Sequence, residues 1–306
     1  MSMRRRELLK ILGAGSLTLL DGGRPARAYQ DAEPPVSPDT PAVLVDTVAC
    51  IGCRKCELAC NVENGLSTRT AAEFDDTSVL ETSRRPSHDA FTVVNRFRGP
   101  ESESRVWNIK LQCMHCVDPA CASACLVGAL RKDPRGPVTY DAWKCIGCRY
   151  CMIACPFQIP AYEYGKAVQP RVRKCVFCAS RLAEGRTPAC VAICPNEALS
   201  FGTRQEIIDA AHTRIQAGRG RYVDHVYGEH EGGGTSWVYL APVDFALTGL
   251  PELDSEPIPR RTRTIQHGLF KSFVPPLALY GLLGLIMHSM RNGNGDTSVG
   301  RSDESR

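Results

Sequence analysis

The chain has 306 residues, with 37 Lys and Arg against 33 Asp and Glu, and it contains sixteen cysteines. Its formal charge of +4 falls to zero if residues 1–28 are removed, because that segment holds six basic and two acidic side chains. This balance gives no support for nucleic-acid binding. The chain is also far longer than the small secreted scaffolds that disulfides hold together, which argues against a disulfide framework.

Residues 1–28 contain the parts of a twin-arginine export signal in the expected order. Arg5 and Arg6 precede an apolar run from Ile11 to Leu20, and an Ala-Arg-Ala site ends at Ala28. This order predicts a signal peptide that is cleaved after Ala28, with a short cytoplasmic amphipathic helix as the alternative. The twin-arginine route transports folded proteins, so any cofactor would be inserted before export.

Residues 29–42, which are rich in proline, are predicted to be a linker to a cysteine-rich core at 43–202. The core cysteines form four quartets with none left over. The first and third quartets have the spacing C-x2-C-x2-C-x3-C, which is typical of bacterial ferredoxins. This pattern predicts four [4Fe–4S] clusters, with structural zinc as the alternative. In chain order the quartets are Cys50, Cys53, Cys56, Cys60; Cys113, Cys116, Cys121, Cys125; Cys145, Cys148, Cys151, Cys155; and Cys175, Cys178, Cys190, Cys194.

An internal repeat indicates that the core arose by duplication. Residues 43–60 align without gaps to 138–155, and ten of the eighteen positions are identical. Val43–Asp46 and Val138–Asp141 have the β-branched, alternating character of short strands that lead into cysteine loops. The fold class expected from this repeat is α+β, with a duplicated bacterial-ferredoxin-like core arranged in tandem.

Two further segments accompany the core. Residues 61–106 separate the first two quartets and are predicted to be a polar insertion. Residues 203–272 are expected to form a docking extension. Apolar residues at helical spacing predict a packed surface helix over 203–217, and a glycine turn then leads into a strand in EGGGTSWVYL. Trp143, just before the third quartet, is expected to be a packing residue.

Residues 273–290 are predicted to be a single transmembrane helix, followed by a polar tail at 291–306. The run contains eighteen residues without Asp, Glu, Lys or Arg. At helical rise it would span about 27 Å, which is marginally enough for a bilayer core. A buried core helix is the alternative. The basic residues before the run would be cytoplasmic by the positive-inside rule, but the export signal places the body of the protein on the outer face.

Several stretches resemble the hydrogenase-2 type of iron–sulfur electron-transfer subunit (HybA type). The resemblance rests on LQCMHCVDPACASACLVGALRKDPRGPVTYDAWKCIGCRYCMIACPFQIPAYEY, on VYGEHEGGGTSWVYL and on IQHGLFKSFVPPLALYGLL. The quartets alone are shared with electron-transfer subunits of formate dehydrogenase, dimethyl-sulfoxide reductase and tetrathionate reductase. The resemblance covers nearly the whole chain.

The resemblance implies that ligands are exchanged between the first and fourth quartets and between the second and third. It implies four ligand sets: Cys50, Cys53, Cys56 with Cys194; Cys175, Cys178, Cys190 with Cys60; Cys113, Cys116, Cys121 with Cys155; and Cys145, Cys148, Cys151 with Cys125.

The same resemblance implies a protein on the periplasmic face of the cytoplasmic membrane. Its partners would be the small and large subunits of a nickel–iron hydrogenase and a polytopic, quinone-reactive membrane subunit. The same relay serving a molybdopterin enzyme, such as formate dehydrogenase or tetrathionate reductase, is the alternative. No catalytic site is recognisable on the chain itself. His115 could tune a cluster or be a hydrogen-bonded loop residue, and His288 is similarly ambiguous.

Overall fold

A computed structural model describes residues 37–99, 102–260 and 280–288. The helices are α1 (Lys55–Asn64), α2 (Ala71–Asp75), α3 (Ala120–Ser123), α4 (Tyr150–Ala154), α5 (Ala179–Ala183), α6 (Ala189–Ala192), α7 (Arg204–Ala217) and α8 (280–288). The strands are β1 (Pro41–Asp46), β2 (Thr92–Gly99), β3 (Ser102–Gln112), β4 (Leu130–Lys132), β5 (Val138–Tyr140), β6 (Ala161–Tyr162), β7 (Val172–Arg173), β8 (Leu199–Thr203) and β9 (Trp237–Leu240).

The central sheet has the strand order β8-β1-β9, and β1 is buried on both faces. β1 pairs antiparallel with β8 and parallel with β9. Val43 and Val45 point into the cysteine-containing core, whereas Ala42 and Leu44 pack on the opposite face against α7. Because side chains alternate along a strand, this single strand joins the two cores. The predicted strand at Val43–Asp46 is therefore confirmed.

Helix α7 covers the outer face of this sheet. Ile207 and Ala211 are buried against it, and Ile215 is partly buried. The helix begins with a capping box in which Thr203 and Glu206 exchange hydrogen bonds, which satisfies amide groups that the first turn leaves unpaired. The packed helix predicted at 203–217 and the strand predicted in EGGGTSWVYL are both confirmed.

The repeat seen in the sequence is also a structural repeat. Gly52 and Gly147 have φ values of +72° and +71°, and the residues two positions later, Arg54 and Arg149, have φ values of +58° and +61°. Each arginine precedes the helix that begins at the next residue, α1 or α4. A positive φ is readily adopted by glycine, so the two glycines permit the tight loop that bears the first cysteines of each quartet.

The two modules are nested rather than consecutive. Strand β1, before the first quartet, pairs with β8, after the fourth, and α1 packs against α6. In the same way β4, after the second quartet, pairs with β5, before the third, and α3 packs against α4. The chain therefore completes the inner module before it returns to complete the outer one.

The segment at 61–106, which was expected to be a polar insertion, contains β2 and the beginning of β3. β2 and β3 form an antiparallel hairpin with a register shift between Arg98 and Gly99. Phe97 and Ile109, one on each strand, are buried in the same core as Val43 and Val45. β3 then runs directly into the second quartet, so this hairpin is part of the core rather than an appendage.

The predicted export signal at 1–28, most of the linker and the tail at 291–306 lie outside the described residues. The predicted span at 273–290 is described only over 280–288, where it is the exposed helix α8. Within the three described ranges, no helix combines the length and apolar character needed to cross a membrane.

Candidate iron–sulfur centres

All sixteen cysteines lie in the described part of the chain, and all are free thiols. Most are buried or partly buried, and Cys148 is exposed. They are carried by loops and by the first turns of short helices, so that backbone amides lie near several sulfur atoms. The amide of Ala129 donates to Cys125 Sγ at 3.1 Å, and that of Phe177 donates to Cys175 Sγ at 3.4 Å.

One group of four cysteines lines a single cavity and combines the first and fourth quartets. Burial raises the pKa of the Cys50 thiol to about 11, and the nearby sulfur groups of Cys194 and Cys53 add to this rise. We call this set group A, and its members are Cys50, Cys53, Cys56 and Cys194.

A second group combines the remaining members of the same two quartets. Burial places the pKa of the Cys60 thiol well above its usual value, and Cys175, Cys190 and Cys178 raise it further. The side-chain amide of Asn64 also lies 3.6 Å from Cys60 Sγ. We call this set group B, and its members are Cys60, Cys175, Cys178 and Cys190.

The second and third quartets combine in the same manner. Burial raises the pKa of the Cys116 thiol far above its usual value, and the nearby thiols of Cys155, Cys113 and Cys121 raise it further. The pKa of the Cys151 thiol is raised to about 11, mainly by burial and further by the nearby thiols of Cys125, Cys145 and Cys148. We call these sets group C and group D. Group C is Cys113, Cys116, Cys121 and Cys155, and group D is Cys125, Cys145, Cys148 and Cys151.

Electrostatic interactions between the thiols indicate a linear order of the groups. Beyond the effect of burial, Cys190 of group B raises the pKa of the Cys56 thiol of group A. In the same way Cys113 of group C raises the pKa of the Cys175 thiol of group B. Cys151 of group D raises the pKa of the Cys121 thiol of group C. The order along the molecule is therefore A, B, C, D, which differs from the order of the quartets along the chain.

The donor sets fit iron–sulfur cubanes. Thiolates are the usual ligands of such clusters, and amide donors to sulfur help set their potentials. Burial and repulsion between neighbouring thiolates both oppose loss of the thiol protons. A cationic iron–sulfur core offsets both effects, because a thiol that coordinates a metal loses its proton. Among the described residues, no group of three or more His, Cys, Asp and Glu is arranged to hold a single metal ion. A cubane, which is much larger than one ion, spreads its ligands farther apart.

His115 lies inside the core with a positive φ of 49° and is fully buried. Its Nδ1 accepts a hydrogen bond of 2.9 Å from the amide of Val138, and its ring stacks on Phe177 with 4.9 Å between centroids. Burial, with help from the Lys174 charge, holds its pKa well below the usual range. The hydrogen bond at Nδ1 and the stacked ring favour the interpretation of a hydrogen-bonded loop residue.

Trp143 corrects one expectation. It was expected to pack, but its side chain is 93% exposed beside the group D loop. Ile146 and Ile153 are exposed on the same module. Cys148 in the same loop is exposed as well, so apolar residues near a predicted ligand did not indicate burial here.

Three charged residues in the core were missed by sequence reasoning. Lys110, Lys174 and Glu57 are almost completely buried. A charged residue in a strand or helix normally indicates a solvent-facing position, so pattern alone argues against burial. The only signal was their proximity in sequence to cysteines, with Glu57 and Lys174 each adjacent to one.

Comparison with known proteins supports the interpretation of the site. The family described as 4Fe-4S dicluster domain matches residues 106–204. A protein of Nitratidesulfovibrio vulgaris is 51% identical over 251 residues, which is 82% of this chain and 67% of that protein. Hydrogenase-2 operon protein HybA of Escherichia coli O157:H7 is 35% identical over an alignment of 328 positions that covers 96% of this chain and 98% of HybA.

The iron-sulfur subunit of the nitrate-inducible formate dehydrogenase of Escherichia coli (strain K12) is 32% identical over an alignment of 303 positions that covers 94% of each chain. These similarities extend over nearly the whole sequence and confirm the predicted resemblance. Together with the sixteen grouped cysteines, they establish multiple [4Fe–4S] clusters as the cofactors. The chain belongs to the family of iron–sulfur electron-transfer subunits of hydrogenases and formate dehydrogenases.

Proposed function

We propose that this protein relays electrons between a nickel–iron hydrogenase and a quinone-reactive membrane subunit. The proposal that the chain relays electrons rests on one observation, the series of neighbouring thiol groups A, B, C and D. The choice of hydrogenase rests on the higher identity to HybA than to the formate dehydrogenase subunit, over a similar share of the chain. The catalytic chemistry would take place on the partner, and this chain would only transfer electrons.

Each group would hold one [4Fe–4S] cluster, which supplies one-electron transfer when bound. Three ligands of every group come from one quartet and the fourth comes from its partner quartet, as the resemblance implies. The residues of the chain would bury the clusters, exclude water and direct amide groups at the sulfur atoms. Burial and hydrogen bonds to sulfur are the two means by which such a protein sets cluster potentials.

The intact protein should contain about sixteen iron and sixteen acid-labile sulfide atoms per chain, as four cubanes. Colorimetric iron and sulfide analysis after anaerobic purification measures both. A preparation that contained zinc with no sulfide would contradict the cofactor assignment. Half the expected iron in a fully folded protein would contradict four occupied groups.

The identity of the electron donor is tested on the complex as it occurs in membranes. The chain is purified with its bound partners from anaerobically solubilised membranes, and its visible absorption is followed after hydrogen or formate is added. Hydrogen alone should bleach the iron–sulfur absorption. If formate bleaches it and hydrogen does not, the chain serves a formate dehydrogenase. The 32% identity to a formate dehydrogenase subunit makes this the second candidate.

We also propose that the protein is exported by the twin-arginine route and held on the periplasmic face by residues 273–290. Deleting residues 272–306 removes no cysteine, so the truncated protein should still be exported with its clusters. Its membrane attachment should then depend on protein contacts alone. Carbonate extraction measures this, because it removes peripheral proteins and leaves spanning helices in the membrane. Equal release of the full-length and truncated proteins would contradict a spanning anchor.

A further inference from the structure

Two lysines in the core are buried without a carboxylate partner. Lys110 is 2% exposed and Lys174 is 3% exposed. The ammonium group of Lys110 donates to Gln112 Oε1 at 2.8 Å and lies 4.4 Å from the ring centroid of Trp237. That of Lys174 donates to the carbonyl oxygens of Val138 and Cys175 at 2.6 and 3.0 Å. Neither forms an ion pair with a carboxylate in the described part of the chain.

A buried ammonium group is unfavourable unless opposite charge compensates it. The nearby groups that can supply negative charge are mainly cysteines, with Tyr239 in addition beside Lys110. Lys110 lines the same cavity as the four cysteines of group A. Burial alone would lower its pKa, but Cys190, Cys56 and Cys175 hold it above the usual range. Lys110 therefore lies at the junction of groups A and B.

Lys174 occupies the corresponding place one step farther along the series. Burial again tends to lower its pKa, but Cys113, Cys121 and Cys175 raise it above the usual value. Two of these cysteines belong to group C and one to group B. Two of the three junctions of the series, A–B and B–C, therefore have one buried lysine each.

A cubane with four thiolate ligands is an anion, and reduction adds a further negative charge. A fixed cation in a low-dielectric interior favours the more negative state, because charge interactions there are only weakly screened. Net charge is one of the properties that set the potential of an iron–sulfur cluster. The cations at these two junctions thus favour reduction of the clusters beside them.

We propose that Lys110 and Lys174 are positioning residues that raise the reduction potentials of the clusters in groups A, B and C and so keep these three members of the relay reducible. Lys110 acts on A and B, and Lys174 acts on B and C. Group D lies beyond both junctions and is not affected. This inference rests on the proposed ligand groups, but it makes a separate prediction about potentials.

The test is a redox titration of the full-length protein, followed by electron paramagnetic resonance, for Lys110→Met and Lys174→Met. Methionine keeps a long unbranched side chain and removes the charge. At a fixed potential, Lys110→Met should lower the reduced-to-oxidised ratio of clusters A and B at least tenfold, which corresponds to about 59 mV for a one-electron couple. Lys174→Met should do the same for B and C. Cluster D should be unchanged in both.

Lys166→Met is the matched control, because its side chain is 59% exposed and solvent screens its charge. It should leave all four potentials unchanged. Unchanged potentials in both core variants, or equal shifts of all four clusters, would overturn the proposal. Loss of iron from both core variants would also overturn it, since the lysines would then serve cluster assembly. Signals are assigned by single cysteine replacements, so an error in the ligand groups is detected independently.

Discussion

Replacing Cys194 with alanine should disrupt the cluster of group A and leave that of group B in place. Cys194 is next to the other fourth-quartet cysteines in sequence, but its sulfur lies near that of Cys50 and in the same cavity as Cys53 and Cys56. Removing one of four thiolate ligands should convert the group A cubane to a three-iron form or abolish it. Since the relay is a series, we expect hydrogen-dependent quinone reduction to fall at least tenfold.

The reciprocal replacement, Cys60→Ala, is the matched control. Cys60 follows the group A cysteines in the first quartet, yet its neighbours are Cys175, Cys190 and Cys178. It should disrupt group B and spare group A. Iron analysis and electron paramagnetic resonance distinguish the two outcomes. If Cys194→Ala removes only the cluster held by Cys175, Cys178 and Cys190, each quartet serves its own cluster and the crossed arrangement is wrong.

The nested fold gives this crossed arrangement a consequence for assembly. If the crossed ligand sets hold the clusters, group A requires both Cys50 and Cys194 and group B requires both Cys60 and Cys190, so neither group could close until nearly the whole core had been synthesised. Contacts so distant in sequence form slowly, because the loop between them must be closed first. Groups C and D close within a much shorter segment.

Local features of the fold were predictable from sequence because local residues determine them. The strand at Val43–Asp46, the tight loop at Gly52 and the helix at 203–217 follow from side-chain periodicity and backbone preference. The pairing of quartets did not follow from spacing. It was implied only by the family resemblance, because spacing cannot specify which distant loops meet.

The features that were missed all depend on tertiary contacts. Strand β2 lies in the segment that was predicted to be a polar insertion, yet its Phe97 joins the main core together with Ile109 of β3. Lys110 is flanked by Ile109 and Leu111 on β3, a pattern that predicts an outward-facing lysine. Lys110 is buried because the face of β3 that bears it is covered too, and Trp237 is one of the residues that cover it. The alternation of side chains within β3 cannot predict this burial, because the covering residues come from another part of the chain.

Glu57→Gln should cause the largest loss of stability among substitutions that spare the cysteines. The Glu57 carboxylate is buried and accepts hydrogen bonds from Arg84 at 2.6 Å, from Arg54 at 2.9 Å and from the amide of Val94 at 2.7 Å. Although burial raises its pKa, the hydrogen bonds from Arg84 and Arg54 hold the pKa below its usual value. The carboxylate thereby joins α1 to the β2 strand and to the loop before it.

Removing the charge of Glu57 leaves the buried guanidinium of Arg54 without its carboxylate partner. Breaking one partner of a buried ion pair typically costs about 3–5 kcal/mol. At about 2–4 °C per kcal/mol for a protein of this size, the thermal midpoint of the full-length protein should fall by roughly 6–20 °C. Iron content measured before heating should be unchanged, because Glu57 is not a predicted ligand.

Glu81→Gln provides the matched comparison, since Glu81 forms a 2.7 Å ion pair with Arg96 but its side chain is 62% exposed. Exposed pairs contribute about 0–1 kcal/mol, so its thermal midpoint should change by no more than a few degrees. Differential scanning calorimetry under anaerobic conditions measures both variants. If Glu57→Gln melts within a few degrees of Glu81→Gln, the buried carboxylate is not what holds the hairpin against the first cysteine helix, and the hydrophobic contacts of Phe97 and Ile109 suffice.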